Sequence, residues 1–337
     1  MRAVFLALLG LVLAAAAPAR AADDLHFFRI LTGSAASTYF PVGAALATVI
    51  SSPPGSPPCD KGGPCGVKNL VAVAQTSEGS VANVLAIASD KVDSGLALAD
   101  ISYWAFHGEQ SYFRRAAMPS LRVIANLYPE TIHLVARRGA QIKDIRDLIG
   151  KRVSIDKPGS GTRLNAEILL PAYGVRLNQL KPLEVDPGEA IAMLTRGELD
   201  AFFLVAGFPA ASVADLAEQG LIDLVALSGR RAEAALKRHR FFGTELIPAG
   251  TYKDIPETPT LSIGAQWVVN DTADTELIYQ ITKALWRPEN RALLDAGHAK
   301  GQQIQLGTAL TGISIPLHPG AEKYYREVGV ISDALTE

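Results

Sequence analysis

Hydrophobic positions along this chain fall into two kinds of pattern: short continuous runs, and stretches where apolar residues return every three or four places. Phe27 to Leu31 is a run of the first kind. After a turn, Val42, Leu46, Val49 and Ile50 recur at i, i+4, i+7 and i+8, which predicts an amphipathic helix with Pro41 in its first turn, where a missing N–H matters little. The next unit repeats the plan, with a strand from Val71 to Gln75, a turn at 76–80, and a helix carrying Val81, Val84, Leu85 and Ala88 on one face. A third strand, Leu96 to Ala99, opens into Asp100-Ile101-Ser102 and another helix. Such alternation predicts a parallel sheet covered by helices on both faces.

The pattern changes at Leu121 to Asn126, an apolar strand followed by Leu127-Tyr128-Pro129-Glu130 and a second strand from Thr131 to Ala136. One strand leaving a first sheet and another entering a second would read this way. Alternation then resumes with a strand at Lys151 to Ile155 and a helix from Thr162 to Tyr173 that ends at Gly174. Asp186-Pro187-Gly188-Glu189 supplies a cap, a proline at the first helical position and an acid three residues after the cap, and that helix stops at Gly197. Leu199 to Ala206 is a buried strand broken by Gly207-Phe208-Pro209, and Ile222 to Ala226 is another. Thr260 to Asn270 is expected to return the chain to the first domain. The expected division is 22–125 plus 262–337 for one lobe and 126–261 for the other, with a turn at His318-Pro319-Gly320 before a last helix, Ala321 to Val328, whose Glu322 and Arg326 pair at i, i+4. Lys237 to Arg240 reads as a solvated helix end.

The first residues change the compartment. Arg2, the apolar run Ala3 to Ala17 and the small residues of Ala19-Arg20-Ala21 fit a cleavable export signal over residues 1–21. Its removal takes away Arg2 and Arg20 and no acid, so a net charge of −2 becomes −4. A mildly acidic, evenly mixed chain argues against nucleic acid or an anionic membrane surface as partner. The two cysteines, Cys59 and Cys65, lie in one Pro/Gly-rich loop; in an exported protein they are expected to form a local disulfide, the rival reading being a metal site, for which no ligand-spaced partner stands nearby.

Three turns carry the candidate chemistry: Thr32-Gly33-Ser34-Ala35-Ala36-Ser37-Thr38, Thr76-Ser77-Glu78-Gly79-Ser80 and Lys157-Pro158-Gly159-Ser160-Gly161-Thr162. Each runs from a strand into a helix start, where free N–H groups and the positive end of the helix dipole favour an anion. In an open α/β sheet those turns lie at the carboxyl ends of the strands, where ligands sit. The expected binding set is therefore Gly33, Ser34, Thr38, Ser77, Ser80, Ser160, Gly161 and Thr162, against the plainer reading that these residues only cap helices. Asn83 either faces the same cleft or braces the turn; Tyr39, Phe208 and Tyr252 either pack on a ligand or fill the core. Arg163, a cation at a helix start, calls for a negative partner, either a ligand carboxylate or a surface acid. Pro209 reads as shaping a loop or hinge. Enzyme signatures do not complete themselves: Gly159-Ser160-Gly161 does not spell G-x-S-x-G, Leu164 stands where a dinucleotide loop needs its third glycine, and His26, His107, His133, His239, His298 and His318 show no metal spacing.

The order of motifs resembles the TAXI family, solute receptors of the tripartite ATP-independent periplasmic (TRAP) transporters. The pieces are Thr32-Gly33-Ser34 with Thr38-Tyr39-Phe40-Pro41-Val42-Gly43, Gly79 to Val84, Ile145 to Val153, Pro158 to Thr162, Asp200-Ala201-Phe202-Phe203 with Gly207-Phe208-Pro209, and Ile315 to Gly329, spread from about Phe28 to Gly329. The chain departs from the family at Leu98, where members often carry Gln. The resemblance implies a two-lobed, periplasmic-binding-protein-like (type II) α/β fold with mostly parallel sheets flanked by helices and a hinge between the lobes. It also implies a periplasmic binder, not an enzyme, with no cofactor, that captures a small organic anion such as glutamate or 2-oxoglutarate and delivers it to an integral membrane TRAP permease. Two alternatives stand beside it: a binding subunit of a sensor or ATP-driven importer, and a hydrolase using Ser160.

Overall fold

A computed structural model describes residues 25–113 and 116–332. The expected export signal lies outside the described residues. The first half opens with β1 (His26–Leu31), α1 (Tyr39–Ile50), the short pair β2 (Ser51–Ser52) and β3 (Val67–Lys68), β4 (Leu70–Gln75), α2 (Ser80–Ala88), β5 (Ser94–Leu98), α3 (Ala99–His107) and α4 (Gln110–Phe113). The long strand β6 (Leu121–Arg137) leads into β7 (Arg152–Ser154), α5 (Gly161–Ala172), β8 (Lys181–Leu183), α6 (Pro187–Thr195), β9 (Ala201–Ala206), α7 (Ala211–Glu218), β10 (Ile222–Leu224), α8 (Gly229–Arg238) and β11 (Gly243–Ile247). The second long strand, β12 (Thr258–Asn270), returns the chain to α9 (Thr275–Leu285), α10 (Arg291–Gly297) and α11 (Pro319–Glu327).

Side by side the strands run β4-β1-β5-β12-β6-β9-β7-β8, with β10 on β6 and β11 on β12. The outer parts are parallel as the alternation predicts: β1 with β4 and β5, and β7 with β8 and β9. The centre is antiparallel, because β6 and β12 cross between the halves in opposite directions and pair along their length. Each also meets its neighbour antiparallel, β12 with β5 and β6 with β9. Ile222–Leu224, expected in the strand-helix alternation, likewise joins as an antiparallel addition to β6.

One sequence expectation is corrected here. Leu121–Asn126 and Thr131–Ala136 are not two strands joined by a linker but parts of one 17-residue strand. Pro129 is accommodated because pairing skips a register between Ala265 and Gln266, so Leu127 lies in a bulge and Pro129 faces Gly264. Proline within a sheet is confined to such irregular places, where its missing N–H breaks no ladder bond.

Both halves are built on helices that bury one face. Val42, Leu46, Val49 and Ile50 of α1 are each 1 % exposed or less. In α9 the buried Ile278, Ile281 and Leu285 lie on one side, and Asp274 caps its start by accepting the Leu277 N–H at 2.7 Å. Cys59 and Cys65 form a disulfide. The following loop is held by Asn290, whose side chain accepts from the Cys65 N–H at 2.9 Å and donates to the Ala284 carbonyl at 2.7 Å. Lys237 and Arg238 end α8, and Arg326 pairs with Glu322 at 2.7 Å on α11, both as the sequence predicts. Among the described residues no helix is long and apolar enough to cross a membrane.

Candidate functional site

Where the carboxyl ends of β1, β4, β7 and β9 face one another, the two halves enclose a cavity of 390 Å³. The three Gly/Ser/Thr turns all reach it. Gly33, Ser34 and Tyr39 come from the first turn, Ser77 and Ser80 from the second, and Ser160, Gly161 and Thr162 from the third.

Local chemistry shapes each turn. In the first, Ser34 accepts the Ala36 N–H on its hydroxyl at 3.2 Å, and its carbonyl accepts from the Ser37 hydroxyl at 2.8 Å. In the second, Ser77 accepts the Gly79 N–H at 3.0 Å, and Gly79 takes a φ of 115°, which only glycine adopts without strain. α2 then begins with no side-chain cap, so its start presents backbone donors toward the other half. In the third, Ser160 caps α5 by accepting the Thr162 N–H at 3.0 Å and donates its own proton to Asp156 Oδ2 at 2.6 Å. Thr162 Oγ1 accepts the Val205 N–H at 3.1 Å, tying the start of α5 to the end of β9.

The starts of α2 and α5 meet head to head. The Ala82 N–H donates to the Gly159 carbonyl at 3.0 Å across the halves. A Cβ on Gly161 would stand 2.7 Å from Leu98 Cδ1 and 3.1 Å from Ser80 Oγ, so glycine is what lets the two ends approach. The structure is thus a closed arrangement of the two halves.

Several lining residues lie outside the binding set expected from the sequence. Asp156 and Lys157 stand at the end of β7, Asp186 and Pro187 at the start of α6, and Leu204 and Val205 at the end of β9. Their signal was available, since each lies at or just beyond the end of a strand at the same edge. Asp156 has a φ of 72°, fixed by the Lys157 N–H donating to its Oδ1 at 2.7 Å. Burial pushes the Asp156 carboxyl up to about 6, against the lowering effect of its Ser160 and Lys157 hydrogen bonds. Lys157 bridges to Asp186 at 3.1 Å, and Glu78 lies on the exposed rim.

Five residues considered for the site from the sequence do not line the cavity. Asn83 is a brace: buried, it donates to the carbonyls of Thr32 and Leu96 at 2.7 Å each and accepts from the Ser77 hydroxyl at 2.6 Å, binding the first two turns to β5. Thr38 turns its hydroxyl to the Gly207 carbonyl at 3.1 Å. Phe208 packs under the Lys300 ammonium, 3.9 Å from the ring centre. Arg163 pairs with Glu167 at 3.0 Å and Glu184 at 2.8 Å, so surface acids supply the negative partner it needs. Tyr252 is core: its hydroxyl accepts the Ala210 N–H at 2.9 Å and meets His133 Nε2 at 3.0 Å. His133 Nδ1 faces the Thr131 carbonyl, so Nδ1 carries the proton, and burial holds the imidazole neutral by lowering its pKa to about 4.

Behind the cavity lies a buried polar layer formed by β6 and the starts of α1 and α3. Tyr39 reaches into it with its hydroxyl beside Ser80. Tyr128 donates to Glu130 Oε1 at 2.8 Å, leaving Glu130 Oε2 without a partner. Asp100 accepts the Ile101 N–H at 2.7 Å on one oxygen only. Burial pushes both carboxyls, Asp100 and Glu130, up to about 7.

Two halves joined by antiparallel crossing strands, with strand ends and helix starts turned toward a shared cleft, define the two-lobed, periplasmic-binding-protein-like fold. Residues 30–329 match the NMT1-like family, and the chain belongs to that family. Among solved structures, a protein of Bordetella bronchiseptica RB50 is 13% identical, with 91% of this chain and 90% of that one covered and a TM-score of 0.52. The alkanesulfonate-binding protein SsuA of Xanthomonas axonopodis pv. citri, bound to MOPS, is 14% identical over 90% of this chain and 85% of that one, with a TM-score of 0.47. The amino acid ABC transporter substrate-binding protein AbpA of Streptococcus pneumoniae, bound to L-arginine, is 14% identical over 82% and 92%, with a TM-score of 0.42.

Proposed function

We propose that this protein is an extracytoplasmic solute-binding receptor that closes over a small organic anion and releases it unchanged to a membrane permease. The observation that carries this reading is the convergence of the starts of α2 and α5, one from each half, on a single cavity lined by Ser34, Ser77, Ser80, Ser160 and Thr162. Backbone N–H groups and hydroxyls arranged in this way suit an anionic head without any catalytic group. Lys157 adds a cation at the cavity wall, in place of the Arg163 expected from the sequence. Asp156 and Glu78 also line the cavity, so a carboxylate that also carries a hydrogen-bond donor suits the lining better than a bare anion. The Ser160 hydroxyl is engaged by Asp156, and no histidine lines the cavity among the described residues, which supports binding over hydrolysis.

The TAXI-like order of motifs supports a TRAP permease as the recipient, and the N-terminal pattern supports the periplasm as the compartment. A thermal-shift screen of carboxylates, sulfonates and amino acids, followed by calorimetry, tests the ligand class, because a ligand that binds only the native state raises its stability with concentration. Recovery of the ligand unchanged by mass spectrometry supports a receptor; a product would overturn it. Uptake into vesicles carrying the permease should need an ion gradient, and uptake that needs ATP instead would reassign the recipient.

A further inference from the structure

The two halves also meet away from the cavity, at contacts that no ligand would touch. Thr38, at the start of α1 in the first half, donates its hydroxyl to the carbonyl of Gly207 at 3.1 Å in the second. Lys300, from the segment Ala299–Gln303 that packs on α1 and α10, passes over the same turn. Gly207 leaves room for it: a Cβ there would stand 2.5 Å from Lys300 Cγ and 3.1 Å from Thr38 Cγ2.

Lys300 is fully buried, with its Nζ 3.9 Å from the centre of the Phe208 ring and 3.2 Å from Gln303 Oε1. A buried ammonium with one side-chain hydrogen bond draws its remaining stabilisation from the π face beneath it and from the charges of Glu130 and Glu245 beyond. Were the halves to part, Phe208 would withdraw and Lys300 would be left uncovered. None of Thr38, Gly207, Phe208 or Lys300 lines the cavity.

We propose that Thr38, Lys300 and the Gly207–Phe208 turn form a latch that holds the halves closed independently of ligand. Lys300 acts through Phe208 and is a positioning residue, not a ligand contact. The latch sets how much of the ligand-free protein is already closed, and hence the fraction competent to retain a ligand. This goes beyond the receptor reading and its test needs no ligand, so the two can fail separately.

Ligand-free protein is compared by small-angle scattering and hydrogen exchange for the wild type, Thr38→Val, Phe208→Ala and Lys300→Met. Thr38→Val preserves shape and removes a single hydroxyl, so it remains informative should a larger change disturb folding, which circular dichroism checks. The expected result is a larger radius of gyration in the variants and several-fold faster exchange of the Ala82 amide, whose hydrogen bond to Gly159 crosses the halves and involves none of the substituted residues. A folded Thr38→Val and Phe208→Ala with wild-type radius and wild-type protection at Ala82 would overturn the latch.

Discussion

At the scale of single residues, side chains that resemble ligand contacts in the sequence separate into those that face the cavity and those that hold its walls. Asn83 belongs to the walls, joining the first two turns and β5 through buried hydrogen bonds. Asn83→Ala leaves buried carbonyls without donors and is expected to lower stability by at least about 1–3 kcal/mol in urea denaturation. Arg163 is partnered by Glu167 and Glu184, so Arg163→Ala should leave ligand affinity at the wild-type value. Lys157→Met should weaken binding of an anion by about 1 kcal/mol, the scale of a partly exposed ion pair. Calorimetry on the two variants with the same ligand checks the contrast, and a loss confined to Arg163→Ala would return the site to the sequence expectation.

At the scale of elements, the function rests on two helix starts brought end to end. α2 and α5 approach closely because Gly161 offers no side chain at the junction, where a Cβ would meet Leu98 and Ser80 of the opposite half. Gly161→Ala is therefore expected to leave the ligand-free melting temperature close to wild type while weakening ligand binding about tenfold, near 1.4 kcal/mol. Calorimetry paired with thermal melting reads both quantities. An equal loss in both would place the strain within the second half instead of between the halves.

At the scale of the molecule, two buried carboxyls, Glu130 on a crossing strand and Asp100 at the start of α3, have their pKa raised to about 7 by burial. A carboxyl raised above its unfolded value favours the folded state in its protonated form, so this contribution is full at low pH and is lost as pH rises through about 7. His133, lowered to about 4, acts in the opposite sense: folding gains from it as pH rises from about 4 to 6.5. Glu130→Gln removes one of the two carboxyl contributions. Its stability should fall less than that of the wild type between pH 5 and 7.5, measured by urea denaturation at each pH, whereas parallel profiles would mean that Glu130 ionises normally in the fold.

What the sequence determined by itself is what lies within a few residues: the alternation of strand and helix, the caps at Ser160 and Asp186, the three Gly/Ser turns at the ends of strands, the Cys59–Cys65 pair and the ion pair of Glu322 with Arg326. Apolar period and capping chemistry are local properties, and burial in the fold only reinforces them. Eight of the residues expected at the cleft line it because a strand-to-helix turn has one exit, at the carboxyl edge of the sheet. Tertiary structure decided the rest. Whether Thr38 faces a ligand or the Gly207 carbonyl depends on a partner 169 residues away, and no local period encodes that distance. Pro129 ends a strand by local rules and continues one here, paired with Gly264 beside the bulge at Leu127, where the ladder is already irregular. Lys300 is buried because the second half folds Phe208 over it, a contact between residues 92 apart that no local pattern encodes.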